Sequence, residues 1–176
     1  MKLQSTLLII LIIGSLLIVG CIQKQDSGLN EQQKNEIKQE VQKTWDQFTE
    51  LWLKGDPAAT SGWYTENCLN MPDDIPTMEG NVAVKNAFTM MFQAIENKKI
   101  TYKTLEVDAC EDKIFELGLL EHTYIPKGAA EMTVYARYFC VWHRQDDNSL
   151  KIHRYLFNTL PQTEDAMKIF KARMNQ

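Results

Sequence analysis

The chain has 176 residues, 44% of them hydrophobic and 24% charged, with a formal net charge of −4. That length is one domain's worth and can bury a sizeable core. The acidic balance argues against a nucleic-acid binder and against a polybasic grip on anionic lipid.

The chain opens with a lone Lys2, an unbroken apolar run from Leu7 to Ile13, and the string Ile18-Val19-Gly20-Cys21. A basic start, a short apolar core and small residues before a cleavage point are what a secretory leader needs, and the stretch from Leu7 to Val19 is short for a membrane span. An uncleaved anchor helix is the alternative. Gly20-Cys21 resembles the lipobox of bacterial lipoproteins. That resemblance implies a signal peptide over residues 1–20, lipidation of Cys21 with palmitate-type chains, and an exported protein held on the periplasmic or cell-surface face of a membrane. Each buried acyl methylene contributes about 0.8 kcal/mol, so several chains on one cysteine give a lasting anchor. Residues 21–30 carry little apolar content and read as a flexible tether.

From Glu31 to Lys54, Ile37, Val41, Trp45, Phe48 and Trp52 recur at helical spacing, which predicts one long amphipathic helix. Gly55 supplies a left-handed stop, and Asp56-Pro57 an N-cap followed by proline at the first position of a short second helix ending near Gly62. Cys68 to Met71 reads as a short strand, and Pro72 to Pro76 as a loop. Asn81 is placed to cap a third helix reaching Glu96, with Val84, Phe88, Met91, Phe92 and Ile95 on one face. The period then becomes strand-like. Ile100–Cys110, Lys113–Ile125, Glu131–Gln145 and Leu150–Thr159 are rich in β-branched and aromatic residues and separated by turn-like strings, which predicts a four-strand antiparallel meander. A last helix is predicted from Thr163 to Met174, with Ala166, Ile169 and Phe170 on its inner side. Helices followed by a meander define an α+β layout.

Cys68, Cys110 and Cys140 remain once Cys21 is assigned to lipid, without metal-ligand spacing. Cys110 with Cys140 is the pair that could form a disulfide in an exported protein, and buried free thiols are the other reading. No His-Glu-His metal spacing, Ser-His-Asp order or phosphate-binding glycine loop appears, so no metal or cofactor is expected.

Several strings resemble the nuclear transport factor 2-like superfamily, in its SnoaL-like and ketosteroid isomerase-like branch. They are Lys54-Gly55-Asp56 followed by the run from Trp63 to Pro72, then Glu79-Gly80-Asn81, then the run from Val141 to Asn158. The resemblance spans about Glu31 to Leu160 and implies a cone domain over residues 31–160, a curved antiparallel sheet wrapped around N-terminal helices with an apolar hollow at its wide end; the C-terminal helix segment, residues 161–176, lies beyond it and rests on its own periodicity. Family members include isomerases, cyclases, dehydratases and non-catalytic binding domains, so fold alone does not settle function.

The resemblance also marks where proton-transfer groups belong. The residue before the proline, an aspartate in isomerase-like members, is Met71 here, and the aspartate of many SnoaL-like sequences is replaced by Tyr155. A phenol near pKa 10 is a poor base at neutral pH. No carboxylate is expected in the hollow. If strand alternation puts Tyr155 inside, His153 and Phe157 follow it in, and Ile152, Arg154 and Leu156 face out. His153 with Tyr155 is therefore the candidate catalytic pair, with a rim histidine as the plainer reading; His122 has the same ambiguity. Tyr138, Cys140 and Trp142 share the face that looks inward, and Tyr64, Met71 and Phe88 would close the hollow from the helical side. Tyr64, Met71, Phe88, Tyr138, Trp142, His153 and Tyr155 are thus the candidate ligand-binding set, although each could simply pack the core. Such a lining suits a small hydrophobic molecule. Three functions stand open: a binding domain, an isomerase, cyclase or dehydratase, and a homodimerisation module using the outer sheet face around Arg137, Phe139, Val141 and Arg154.

Overall fold

Helix α1 (Glu31–Lys54) is the axis on which the domain is built, and both its ends are fixed by local chemistry. Asn30 and Gln33 form a reciprocal capping box at 2.9 and 3.0 Å. Gly55 ends the helix at φ 66, a left-handed conformation that glycine adopts without a Cβ clash, and its N–H donates to the Trp52 carbonyl. The predicted stripe is real: Val41, Trp45, Phe48 and Trp52 are buried and Ile37 packs against them. Fully burying each such large side chain is worth roughly 1.5–3 kcal/mol, far more than helix propensity supplies. This computed structural model describes residues 28–73 and 75–175. The expected signal peptide, Cys21, most of the tether and Asp74 lie outside the described residues.

Helix α2 (Pro57–Ser61) starts as expected, with the Asp56 carboxylate accepting from the Ala58 and Ala59 amides. Strand β1 (Tyr64–Met71) begins four residues earlier than the sequence suggested and pairs with a two-residue strand β2 (Met78–Glu79). Helix α3 (Asn81–Ala94) is capped differently from expectation. Gly80 occupies the N-cap at φ 81 without a side-chain bond, so Asn81 is the first helical residue and caps nothing. A Cβ on Gly80 would also come within 3.0 Å of the Glu66 carbonyl. The helix ends at Ala94, and strand β3 (Ile95–Cys110) follows directly, five residues before its predicted start.

Strands β4 (Lys113–Pro126), β5 (Met132–Arg144) and β6 (Leu150–Thr159) complete the meander. The sheet order is β2-β1-β6-β5-β4-β3, and β1 runs parallel to β6. The sheet is therefore mixed rather than wholly antiparallel, and it is an open, curved sheet cupping the N-terminal helices. Its outer edge, β3, is met by α1: Gln42 donates to the Tyr102 carbonyl at 3.0 Å and accepts from the Thr104 amide at 3.1 Å, and Lys38 donates to the Leu105 carbonyl at 2.9 Å. These contacts sit beside a register shift between Thr104 and Glu106. A bidentate Arg144–Glu40 pair, both contacts 2.7 Å, ties α1 to the end of β5.

Helix α4 (Glu164–Met174), capped by Thr163, lies on the sheet's outer face. Phe170 is buried against Tyr135 at a centroid distance of 5.0 Å, but Ile169, expected on the inner side, is 64% exposed. The three described cysteines are free. The Cys110–Cys140 pairing is not made, because Cys110 sits exposed at the end of β3 while Cys140 is wholly buried in the middle of β5 opposite Glu116.

Candidate functional site: an aromatic hollow beside a caged carboxylate

Inward-facing side chains divide the interior of the cup into two zones. At one end Trp45, Tyr138, Trp142 and Ile152 pack to 2% exposure or less. At the other, the interior opens into a hollow of about 410 Å³. Trp52 of α1, Phe88 and Met91 of α3, Tyr64 of β1, Tyr102 of β3, Leu120 and Tyr124 of β4, and Tyr155 and Phe157 of β6 wall it. Ala87, the smallest of these residues, leaves room on the helical side.

Polar atoms in this wall are few and unusually placed. Among the described residues, two buried side-chain oxygens, Asn70 Oδ1 and Asp73 Oδ1, have no hydrogen-bond partner, and the buried Tyr155 hydroxyl has only a loose contact with the Tyr102 phenol. All three residues line this hollow. Buried polar atoms are normally satisfied, so their gathering in one cavity marks it off from the core. Asn70 and Tyr155 are register neighbours across the parallel β1–β6 seam. Asp73 is held at the end of β6, where its Oδ2 accepts from the Thr159 amide at 2.6 Å. Burial, and then the neighbouring Tyr102 and Tyr138, push the Tyr155 phenol well above its ordinary range, so it keeps its proton.

His122 is the histidine of the hollow. Its Nε2 lies 2.8 Å from Asn97 Oδ1, and the Asn97 amide nitrogen donates to the Trp52 carbonyl at 3.3 Å. That second bond orients the amide and assigns the proton to Nε2, which donates. Trp52 Nε1, 3.5 Å from the same nitrogen, is then a donor facing a donor and adds little. Burial pulls the His122 pKa down to about 4, so the ring is neutral at ordinary pH and Nδ1 carries a lone pair.

In the packed zone sits a carboxyl group the sequence reading did not place. Glu116 is 0% exposed. Its Oε1 accepts from Thr104 Oγ1 at 2.8 Å and the Tyr138 hydroxyl at 2.7 Å, and its Oε2 accepts from Trp142 Nε1 at 2.7 Å. Trp45 Nε1 bridges both oxygens at 3.0 Å. Burial pushes this carboxyl above its ordinary value, and the four donors pull it part of the way back. Tyr138 reaches it by lying across Gly118, where any Cβ would come within 2.2 Å of the ring. The interior is thus not free of carboxyl groups: Glu116 is buried in the packed zone and Asp73 is among the residues lining the hollow, while Glu121 pairs outward with Lys99.

No protein-family model matches the chain, and no curated protein matches its sequence. Solved structures do match. A ketosteroid isomerase-like protein from Erwinia carotovora atroseptica superposes with a TM-score of 0.63 at 16% identity, over 72% of this chain and 98% of that one. A nuclear transport factor 2-like superfamily protein from Salmonella enterica gives 0.60 at 12% identity over 73% and 94%. ActVI-ORFA from Streptomyces coelicolor gives 0.60 at 12% identity over 70% and 97%. The chain has the nuclear transport factor 2-like fold.

Within this nuclear transport factor 2-like cone, the expected site residues separate into three groups. Tyr64, Phe88 and Tyr155 line the hollow. Tyr138 and Trp142 do face inward, but they fill the core around Glu116 instead of the cavity wall. Met71 and His153 are outside the lining. Met71 is displaced by parity, since β1 turns Cys68 and Asn70 inward and leaves Met71 on the other side. His153 is displaced by a bulge: β5 and β6 pair Val141 with Arg154 and then Trp142 with Ile152, so His153 has no partner opposite it. The extra residue shifts the phase, and Ile152 and Tyr155 are both buried although three positions apart. His153 instead contacts Thr65 Oγ1 through Nδ1 at 3.0 Å, with its ring 5.6 Å from that of His143. On the outer face a second hollow of about 510 Å³ runs between the sheet and α4, lined in part by Arg137, Phe139 and Arg173. It contains none of the unpartnered buried atoms.

Proposed function

We propose that this domain binds a small, mainly apolar molecule inside the cone, and that the protein does so while tethered to a membrane. The carrying observation is the hollow itself, about 410 Å³ of open space walled by aromatic rings in an interior whose other end is packed tight. A cavity of that size is in the range small-molecule sites occupy. The test is a thermal-shift screen with lipids, sterols and polyketides, run beside an Ala87→Trp variant that fills the hollow. A ligand at a hundred times its Kd stabilises by about 2.7 kcal/mol, a shift of roughly 5 to 10 °C for a domain of this size. Stabilisation of the native chain but not of Ala87→Trp is expected; no stabilisation of the native chain by any compound defeats the reading.

A catalytic reading is favoured by one observation, an imidazole, that of His122, in the wall of the hollow with its Nε2 fixed by Asn97. In that reading His122 is the base and Tyr155 the hydrogen-bond donor, and the ketosteroid isomerase-like neighbour lends it fold-level support. His153 has no part in it. Turnover surviving His122→Ala unchanged would remove this second reading.

The tether rests on Gly20-Cys21 in the leader, and the expected result is a palmitate-labelled chain that loses its label on Cys21→Ser. Homodimerisation rests on the outer sheet face, where Phe139 is 37% exposed and Arg137 and Arg154 flank apolar side chains. Light scattering of the purified chain decides it.

A further inference from the structure

The groove on the outer face of the sheet, about 510 Å³ in volume, differs in chemistry from the inner hollow. Its floor holds a row of register partners, Leu117 of β4, Phe139 of β5 and Leu156 of β6. They remain 46%, 37% and 39% exposed, and Ile169 of α4, at 64%, borders the same groove. Apolar side chains standing singly on a surface need no explanation, but a contiguous row marks a face that something covers. The next outward row on the sheet sets Arg137 between Leu119 and Asn158. From the other side α4 contributes Ala166, Ile169, Phe170 and Arg173, the i, i+3, i+4, i+7 set of one helix face.

Sheet and helix therefore each bring one guanidinium group to an apolar groove. Both arginines are exposed, and neither has an acidic partner among the described residues. Glu106 is the one acid in the lining, so the groove carries an excess of positive charge in a chain whose net charge is −4. The inner hollow is the reverse, since no lysine or arginine lines it and Asp73 does.

We infer that the outer groove binds a long-chain carboxylate, its acyl chain covering the Leu117–Phe139–Leu156 row beside Ile169 and its head drawn to Arg137 and Arg173. Covering methylenes drives the binding, and the guanidinium groups, whose planar fork matches a carboxylate, select the charged head. A second copy of the chain is the competing occupant. A two-fold contact would gather Arg137 and Arg173 of both copies at one interface with only Glu106 to offset them, which costs affinity where an anionic head gains it. The inference stands apart from the inner hollow and does not need that cavity to be a ligand site.

The experiment is equilibrium dialysis of the full chain against dodecanoate and 1-dodecanol below their micellar range, with Ala87→Trp run beside the native chain. Dodecanoate is expected to bind about tenfold more tightly than the alcohol, and decanoate about tenfold more weakly than dodecanoate for the loss of two covered methylenes. Ala87→Trp fills only the inner hollow and should bind dodecanoate as the native chain does. Arg137→Ala and Arg173→Ala should each weaken dodecanoate about threefold and leave dodecanol unchanged, so that the double variant binds the two alike. Ile169→Glu, which sets a like charge beside the chain, should weaken dodecanoate more than Ile169→Gln does. Equal binding of acid and alcohol, a preference unmoved by the double arginine variant, or loss of dodecanoate in Ala87→Trp overturns the inference. So does binding to phosphatidylglycerol vesicles without binding of monomeric dodecanoate, and so does a dimer by light scattering that takes up no dodecanoate. None of these results touches the reading of the inner hollow, which Ala87→Trp tests with neutral ligands.

Discussion

Replacing Glu116 tests whether the cage of donors or the buried charge governs this core. Glu116→Leu relieves the cost of burying a carboxyl, which by itself would stabilise. It also strips the Trp45 and Trp142 indoles, the Tyr138 phenol and the Thr104 hydroxyl of their shared acceptor. The two hydroxyls can rotate toward other acceptors, but the indole N–H groups are donors only. At about 1–3 kcal/mol for each stranded donor, the indoles alone cost about 4 kcal/mol, a large part of a domain's total stability. Glu116→Gln behaves differently. With its oxygen toward Trp142 and its NH₂ toward Thr104 and Tyr138, whose hydroxyls can turn to accept, it keeps most of the network and should cost only about 1–2 kcal/mol. In urea, with a slope of about 2 kcal/mol/M, the leucine variant should lower the midpoint by about 2 M and the glutamine variant by less than half of that. The charge has its own signature. Because the folded-state pKa is raised above the ordinary 4.5, Glu116 contributes stability that is fully present below that value and is lost as pH rises through the folded one. The native chain should therefore lose stability relative to Glu116→Gln as pH climbs from about 4.5. A leucine variant within 1 kcal/mol of the native chain, or a glutamine variant as damaged as the leucine one, would refute the reasoning.

Other perturbations follow from the same packing. Gly118→Ala drives a methyl into the Tyr138 ring and should cost about 3 kcal/mol in denaturant unfolding, with part of the loss recovered when Tyr138→Leu is added. His122, held at about 4 against an ordinary 6.5, contributes stability that is present above 6.5 and lost as pH falls toward 4. The loss should reach about 3 kcal/mol and flatten in His122→Gln. Glu40→Ala breaks the bidentate pair with Arg144; because both side chains are about one-third exposed, thermal unfolding should show a loss of only about 1 kcal/mol.

What could be read from the sequence tracks how simple each periodicity is. The α1 stripe and the four-strand meander stand out because a single buried face writes a clean period of 3.6 or 2. The inward set on β6 does not, because a one-residue bulge at His153 inverts the alternation and nothing in Ile152-His153-Arg154 announces it. Glu116 was obscured for a different reason. In Ile114-Phe115-Glu116-Leu117-Gly118-Leu119-Leu120 both faces are apolar, so alternation cannot say which one is the core. A usable signal was present: a lone glutamate inside such a run has little access to water on either side, and Gly118 two positions on marks a close approach on the same face. Asn70 was not legible because the resemblance pointed to its neighbour Met71, which turns the other way.

Gln42 of α1 does for β3 what a neighbouring strand would do, donating to the Tyr102 carbonyl and accepting from the Thr104 amide. Lys38 adds an ammonium at the Leu105 carbonyl. A sixteen-residue border strand would otherwise be a template for adding further copies end on end, and here a helix plugs its middle while a register shift twists it out of line. Protection against fibre growth is in this way delegated to two polar side chains on the helix's flank, and Gln42→Ala should make the chain more prone to aggregate while leaving the aromatic hollow intact.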